Sequence, residues 1–201
     1  MNSIKDIGTY AFKGCTSLTE VTIPKTTTTI NPLAFNQCTS LIHLSIDANN
    51  ANYQSSNNDI YSKDGQILVL YAPGKKDVDV AIRNDVAEIG DYAFLDNKNI
   101  KTIYLANVTT LGTNALGGCT ELHSIYISAD NVAYAEIDGN LYTKDGKTLV
   151  KYAIGKTNTE FEIPEGVTNI APYAFYGCKN LKTLTIPSSL AHIEDYAFYG
   201  T

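Results

Sequence analysis

The residues with the most chemical potential in this 201-residue chain are its four cysteines and three histidines. The cysteines share one position in a recurring phrase and are Cys15, Cys38, Cys119 and Cys178. A zinc site needs ligands clustered at short spacings, which these residues lack. Because free cysteine is a small and readily buried side chain, the shared position indicates packing. Only Cys15 and Cys38 lie in adjacent repeats, so a disulfide is open to that pair alone.

The histidines are His43, His123 and His192, and none has another histidine or a cysteine at metal-ligand spacing. The sequence also lacks a serine-hydrolase elbow, a zinc-protease motif, a glycine-rich phosphate loop and an EF-hand loop. Asn/Asp-rich stretches at 47–52 and 130–139 offer oxygen atoms of the kind that calcium prefers. We interpret them as polar loops, with calcium binding as the alternative. The sequence thus predicts no enzyme and no cofactor.

Charge and hydrophobicity exclude two classes of partner. The formal net charge is -6, the pI is about 5.0, and the only arginine is Arg83. Nucleic-acid binding needs clustered basic residues, and here the lysines are scattered. No apolar run approaches the roughly 18 residues that a membrane helix requires. We therefore predict neither a nucleic-acid partner nor membrane insertion.

A short phrase, Tyr-Ala-Phe followed by Gly-Cys, returns along the chain behind an isoleucine or leucine. These anchor residues are Ile7, Ile30, Ile89, Leu111, Ile170 and Ile193. Their intervals are 23, 59, 22, 59 and 23 residues, so a unit of about 81 residues is itself repeated. Self-similarity at a fixed period is the signature of a solenoid. We predict one domain over residues 1–201, and we expect it to be part of a longer array because both ends fall inside a repeat.

A strand pattern follows most of these phrases, as in residues 18–23. Its alternation predicts that Val21 and Ile23 face the core while Glu20 and Thr22 face solvent. Strands of successive turns should form one parallel sheet, with short helical or extended segments opposite. The last apolar residues of the strands predict seven turns and one buried column, formed by Ile23, Ile46, Ile82, Leu105, Ile127, Ile163 and Ile186.

Two turns are enlarged by inserts at about residues 49–77 and 130–158. Each insert contains an Asp-Gly pair flanked by apolar residues, at Asp64-Gly65 and Asp145-Gly146. Asp-Gly between alternating apolar residues is a strong hairpin signal. We predict two projecting β-hairpins in which these dipeptides form the centre of two-residue turns, with positive φ at both positions.

The pattern Leu-x-x-Val-x-Ile-Pro followed by Ile-x-x-x-Ala-Phe-x-x-Cys, at 23-residue spacing, resembles the BspA-like leucine-rich repeat, also called the Treponema-type repeat. The inserted phrase is similar to a hairpin segment that interrupts arrays of that family. The resemblance covers essentially the whole chain and implies a right-handed, β-dominated α/β solenoid. Two departures predict looser packing: Ala115-Leu116 replaces Ala-Phe, and Asn97 stands near the place of a cysteine.

The resemblance also implies a secreted or surface-attached protein of gut or oral bacteria, or of mucosal protozoa, that binds host or cell-surface proteins. An extracellular location follows from this resemblance alone, because residues 1–5 lack the charged-then-apolar pattern of a secretory signal. The family's fold is better specified by these motifs than its function.

Candidate partner contacts lie on the open face of the predicted sheet. Tyr104 and Tyr126 hold equivalent positions in consecutive turns, and Glu20 and His43 face the same way. Neighbouring exposed aromatic residues are typical of interfaces, whereas the other tyrosines are expected to pack on the solenoid wall. We predict a non-enzymatic extracellular binding or adhesion module. The alternatives are a structural spacer, because small Thr and Ser residues dominate the face, and the recognition arm of an enzyme whose catalytic domain lies outside this chain.

Overall fold

A computed structural model describes residues 3–201 as two rows of very short strands, one strand of each row per turn of the chain. The strands of the first row carry the alternating pattern. They are β2 (Glu20–Ile23), β4 (His43–Ile46), β8 (Asp79–Ala81), β10 (Thr102–Tyr104), β12 (Ser124–Tyr126), β16 (Glu160–Glu162) and β18 (Thr183–Thr185). Neighbours within this row pair in parallel and in register, as when Ile103 faces Ile125.

The second row consists of eight strands that contain the anchor positions. They are β1 (Asp6–Ile7), β3 (Thr29–Ile30), β7 (Ile67–Leu70), β9 (Glu88–Ile89), β11 (Thr110–Leu111), β15 (Thr148–Lys151), β17 (Asn169–Ile170) and β19 (His192–Ile193). Leu68 pairs with Ile89, and Leu149 with Ile170, so these leucines are the anchors of the enlarged turns. The array has about eight turns, and the sequence count of seven was one short because it counted only first-row strands.

The solenoid is β-dominated, as the repeat pattern predicts. Within residues 3–201 the only helix is a 3₁₀ helix, Pro32–Phe35, capped by the Asn31 side chain. The segments opposite the first row are therefore extended or turn-like. Valine, isoleucine and threonine, which favour pleated backbone, are frequent in the short strands, as in residues 20–23.

Each insert is a three-stranded antiparallel meander. In the first, β5 (Tyr53–Ser56) and β6 (Asp59–Ser62) precede β7; in the second, β13 (Tyr134–Ile137) and β14 (Asn140–Thr143) precede β15. Because β7 and β15 also pair in parallel with β9 and β17, each meander is continuous with the second row. Ile60 and Tyr61 on β6 are buried. The predicted inserted β-hairpins are thus present, but the expectation that they project is wrong, since the inserts lie within the array.

The tight turns of the inserts are not at Asp-Gly 64–65 and 145–146. Four residues separate β6 from β7, and only Gly65 of the Asp64-Gly65 pair has a positive φ, of 79°. Asp64 instead accepts hydrogen bonds from the Ser62 hydroxyl and the Gln66 amide, at 2.6 and 3.0 Å. The predicted register is thus wrong. The prediction gave too little weight to asparagine, which also tolerates positive φ and can therefore form a two-residue turn elsewhere in the insert.

The two-residue turns lie one strand earlier. Asn57 and Asn58 have φ values of 51° and 64°, and Asp138 and Gly139 have 50° and 71°, as a type I′ hairpin turn requires. Asp138-Gly139, which sequence reasoning offered as a possible calcium loop, is therefore a hairpin tip.

These tips interrupt the first row. The Leu44 amide donates to the Asn58 carbonyl at 3.3 Å, and the Ile125 amide donates to the Gly139 carbonyl at 2.9 Å. The edges of β4 and β12 are thus occupied by hairpin tips, and the row divides into sheets of two, three and two strands.

The predicted single column of apolar residues is therefore wrong as a continuous feature, because its members belong to three sheets. Four of the seven are buried: Ile23, Ile82, Leu105 and Ile163. Ile46 and Ile127 are half-buried. Ile186 is 54% exposed, since no described strand stacks beyond β18.

A buried ion pair holds the first hairpin tip. Lys75 Nζ lies 2.7 Å from Asp59 Oδ2 and also donates to the Asn57 carbonyl at 2.7 Å. The other Asp59 oxygen accepts from the Ala72 amide at 2.9 Å. Burial raises the pKa of Asp59, and the hydrogen bond from Lys75 opposes that rise. In the second insert, Asn140 takes the place of Asp59 and accepts from the Ala153 amide.

The Asn-rich stretches serve the backbone. Asn131 is 4% exposed; its Oδ1 accepts from the amides of Ala133 and Tyr134, and its Nδ2 donates to the carbonyls of Ala106 and Val108, at 2.8–3.3 Å. This side chain thus joins the start of the second insert to the preceding turn.

Replacing Asn131 with alanine is expected to lower the free energy of unfolding by about 2–4 kcal/mol, because several buried polar groups lose their partners. Chemical denaturation measures this loss. Asn107→Ala is the control, since exposed Asn107 makes one side-chain bond, to the Asn84 carbonyl, and should cost no more than about 0.5 kcal/mol. Equal losses in the two variants would refute the bridging role.

Candidate functional site

Strand register places the four candidate contact residues on the solvent side of the first row. Glu20 on β2 pairs with His43 on β4, and Tyr104 on β10 pairs with Tyr126 on β12. Glu20 and His43 are exposed, and the two tyrosines are 45% and 41% exposed. Successive side chains of a strand point to opposite faces, so these four residues face solvent while the intervening residues point inward.

The two tyrosines form one aromatic surface. Their ring centroids lie 5.2 Å apart with an interplanar angle of 20°. This distance follows from the spacing of roughly 4.7–4.9 Å between neighbouring strands, which stacks identical side chains that are in register. On the other side of Tyr104 the paired residue is Ala81, so the aromatic surface ends at β8.

The structure does not bring all four residues into one patch. Glu20 and His43 lie on the β2–β4 sheet, whereas Tyr104 and Tyr126 lie on the β8–β10–β12 sheet, and the first hairpin tip stands at the edge of β4. Small hydroxyl residues fill the rest of the first sheet's open face: Thr22 and Ser45 share a hydrogen bond of 2.9 Å. The tyrosine pair is therefore the distinct feature of this surface.

Sequence reasoning missed a second aromatic surface, on the loops that carry the Tyr-Ala-Phe phrase. Tyr173 stacks on Tyr196 at 5.2 Å, and Tyr176 stacks on Tyr199 at 5.7 Å. We call these four residues the loop tyrosine cluster. Tyr196 and Tyr199 are 57% and 61% exposed. The expectation that phrase tyrosines pack on the solenoid wall is wrong for these rings, which lie over each other and face solvent.

Several phrase tyrosines adopt left-handed backbone. Tyr10, Tyr92, Tyr173 and Tyr196 have φ values between 56° and 64°. Asn114 occupies the same position in one turn, with φ of 48°. Asparagine tolerates this conformation better than tyrosine does. Asn114 is therefore the sequence signal that could have revealed left-handed backbone at this repeat position.

The cysteines pack as the repeat position predicts. All four are free, and three are buried, while Cys15 is exposed. The Cys38 thiol donates to the Phe12 carbonyl at 3.0 Å, and the Cys119 thiol donates to the Phe94 carbonyl at 3.3 Å. Burial raises the pKa of Cys119 to about 12, so this thiol is neutral and unreactive at physiological pH.

Within residues 3–201, no three His, Cys, Asp or Glu side chains are grouped so that they could hold a metal ion. Over the same range no helix has the length and apolar character needed to cross a membrane.

Parallel strands stacked at a repeat of 22 or 23 residues, with a Cys-bearing loop in four of the turns, define a leucine-rich-repeat solenoid. The family model described as the BspA type leucine rich repeat region matches in six copies, over residues 1–67, 76–143 and 147–201. The chain therefore belongs to the BspA-type leucine-rich-repeat family.

Solved structures give the same fold. A leucine rich cell surface protein from Faecalibacterium prausnitzii A2-165 is 29% identical, with a TM-score of 0.67; the match covers 100% of this chain and 50% of that one. A leucine-rich repeat protein from Eubacterium ventriosum is 23% identical, with a TM-score of 0.62, over 98% of this chain and 62% of that one. The pneumococcal vaccine antigen PcpA is 23% identical, with a TM-score of 0.59, over 89% of this chain and 43% of that one.

The chain thus spans about half the length of the F. prausnitzii protein. Among curated proteins no match was found.

Proposed function

We propose that this chain is a non-enzymatic module that binds a host or cell-surface protein through the stacked pair of Tyr104 and Tyr126. The observation that carries the proposal is the exposure of these two rings side by side on a regular sheet. Exposed tyrosines supply large contact area at low cost in side-chain entropy, and interface energy concentrates in such residues. Membership of a repeat family whose arrays offer extended surfaces supports the same function.

The proposed place of action is the cell surface, and the proposed role is adhesion. The F. prausnitzii protein, which matches the full chain, is described as a cell surface protein. A net charge of -6 fits an extracellular protein partner better than nucleic acid. Glu20 and His43, on the neighbouring sheet of the same row, are proposed as secondary contacts at the rim.

The double variant Tyr104→Ala with Tyr126→Ala is expected to weaken partner binding by about 2–4 kcal/mol, while thermal stability changes little, because both rings lie outside the core. Binding is measured first on an array of extracellular host proteins and then by calorimetry with the protein that the array identifies. Tyr196→Ala with Tyr199→Ala, which removes two exposed rings in edge contact on the loops, is the matched control and should bind normally.

If the Tyr196–Tyr199 variant lost binding and the Tyr104–Tyr126 variant kept it, the contact would lie on the loop tyrosine cluster. That surface is the second candidate because two of its tyrosines, Tyr173 and Tyr196, have a strained backbone conformation, which is more common at functional sites than elsewhere. Absence of binding to any arrayed protein, and to the producing cell's own surface proteins, would favour the structural spacer. The small residues of the open face, such as Thr22 and Ser45, suit that alternative.

A third arrangement, in which the chain is the recognition arm of an enzyme, remains compatible with the proposed binding surface. It differs in what lies outside residues 1–201, and the sequence of the full-length gene distinguishes it.

A further inference from the structure

The inserts create two gaps along the loop side of the solenoid. In each enlarged turn, a shorter segment replaces the loop with the Tyr-Ala-Phe phrase, so the flanking loops face each other across a space. The first gap, between the loops at 32–36 and 92–97, is almost closed, with a volume of about 10 Å³. The second gap, between the loops at 111–116 and 171–173, is a cavity of about 250 Å³.

Three substitutions between the two 81-residue units open the second gap. Leu116 stands where the first unit has Phe35, and it leaves space that the larger ring fills. Lys151 stands where the first unit has Leu70, and Asn114 stands where it has Leu33. Together, these changes replace three apolar side chains of the first gap with a smaller apolar side chain, a cation and an amide.

Lys151 is unusual for a buried lysine. Its side chain is almost completely buried, and Nζ donates one hydrogen bond, to the Tyr173 carbonyl at 2.9 Å. An ammonium group carries three donors. None of the three ion pairs found in residues 3–201 includes Lys151, so this cation has no carboxylate partner there. Burying an unpaired charge is costly, and a bound anion would remove that cost.

Asn114 also lines this cavity. Its Oδ1 has no hydrogen-bond partner, but this atom is fully covered and lies against Gly117, so a ligand in the cavity does not reach it. The cavity thus offers one charged donor, that of Lys151, beside the apolar side chains of Leu116, Val150 and Pro172.

We propose that this cavity binds a small carboxylate, such as a short monocarboxylic acid. The carboxylate contacts Lys151 Nζ, and the rest of the ligand packs against Leu116, Val150 and Pro172. The volume restricts the ligand, because about 250 Å³ corresponds to roughly eight water molecules at about 30 Å³ each. The site is separate from the open-face tyrosines, so it does not depend on the proposed function.

Binding should depend on the charge of Lys151. Burial lowers the pKa of Lys151 to about 8, and the titratable groups that act on it are the Cys119 and Cys178 thiols. Burial raises the pKa of both thiols, so they stay neutral near that pH. The ammonium form is therefore dominant at pH 6.5, and affinity should fall about tenfold per pH unit above pH 8.

The test is an NMR titration of protein labelled with ¹³Cε-lysine, using lactate, acetate and the neutral analogue lactamide at pH 6.5. We expect lactate to shift the Lys151 signal saturably, with a dissociation constant of about 1–10 mM for a ligand of about six non-hydrogen atoms. Acetate should also shift the signal, because the carboxylate alone carries the contact with Lys151. Lactamide should bind at least about tenfold more weakly, because it lacks the charge.

Two variants introduce into the second gap the residue types that stand at the equivalent positions of the first gap. Leu116→Phe fills the space, and its Lys151 signal should no longer respond to lactate. Lys151→Leu removes the cation, and the backbone amide signals of the lining residues Leu116 and Tyr173 should no longer respond to lactate. If Leu116→Phe fails to fold, Leu116→Met narrows the cavity with less strain and should weaken binding. The proposal is overturned if the Lys151 signal does not change at a lactate concentration about 100 times a dissociation constant of 1 mM. It is also overturned if a folded Leu116→Phe variant binds lactate as the parent does.

Discussion

Replacing Lys75 with methionine is expected to lower the free energy of unfolding by about 3–5 kcal/mol, because the change leaves the Asp59 carboxylate buried without its counter-charge. Lys75 is 8% exposed and Asp59 is 3% exposed, and their charged atoms lie 2.7 Å apart. The lysine also holds the hairpin tip through the Asn57 carbonyl. Urea denaturation at pH 7 measures the loss.

The second insert supplies the matched control. Asn140 stands there in place of Asp59, so Lys75→Met combined with Asp59→Asn should recover much of the lost stability. The sign of the pH dependence also follows. Burial raises the pKa of Asp59, so the carboxyl group favours folding when it is protonated and loses that contribution as pH rises through the folded-state pKa. The deficit of the single variant should therefore be smaller at pH 4 than at pH 7, and a deficit that grows on acidification would contradict the account.

Replacing Ile125 with alanine is expected to cost about 2–5 kcal/mol, because it leaves a cavity in the centre of the largest apolar cluster. Ile125 has no exposed surface, and it pairs with Ile103 in the three-stranded sheet of the first row. Thermal and chemical denaturation measure the loss.

Leu184→Ala is the control for that variant. Leu184 holds the equivalent position in β18 but is only partly buried, at the edge of a two-stranded sheet. Its loss should be clearly smaller than that of Ile125→Ala. A loss below about 1 kcal/mol for Ile125→Ala would show that the position does not contribute to the core.

Local periodicity was sufficient to predict the repeat and its first-row strands. The alternation in residues 20–23 and the spacing of the anchors depend on neighbouring residues alone, so they survive in the three-dimensional structure. The family resemblance drew on the same motifs, and the family match confirms it.

The inserts were harder to predict because their geometry depends on competition between turns. Asp-Gly is the stronger hairpin dipeptide in general, yet the Asn57-Asn58 pair adopts the two-residue turn, and Asp64 stabilises a longer loop. The position of the hairpin tips, and hence the division of the first row, depends on contacts such as that between Leu44 and Asn58, which are not local in sequence.

The exposed tyrosine pair could be placed from sequence, because residues at equivalent repeat positions stack when strands are in register. The cavity could be predicted only in outline. Replacement of phenylalanine by Leu116 indicated looser packing, and the structure has a cavity of about 250 Å³ beside that residue. The position of Lys151 beside that space depends on a loop that the insert shortens, which no periodic pattern reveals.

The central claim is that the Tyr104–Tyr126 surface contacts the protein partner. The most direct test is an NMR titration of tyrosine-labelled protein with the partner found on the array, because the 14 tyrosines sample both aromatic surfaces and the inserts in one spectrum. The account predicts that the ring signals of Tyr104 and Tyr126 shift or broaden first, while those of Tyr173, Tyr176, Tyr196 and Tyr199 do not change. Changes confined to those four loop tyrosines, with Tyr104 and Tyr126 unaffected at saturation, would contradict it.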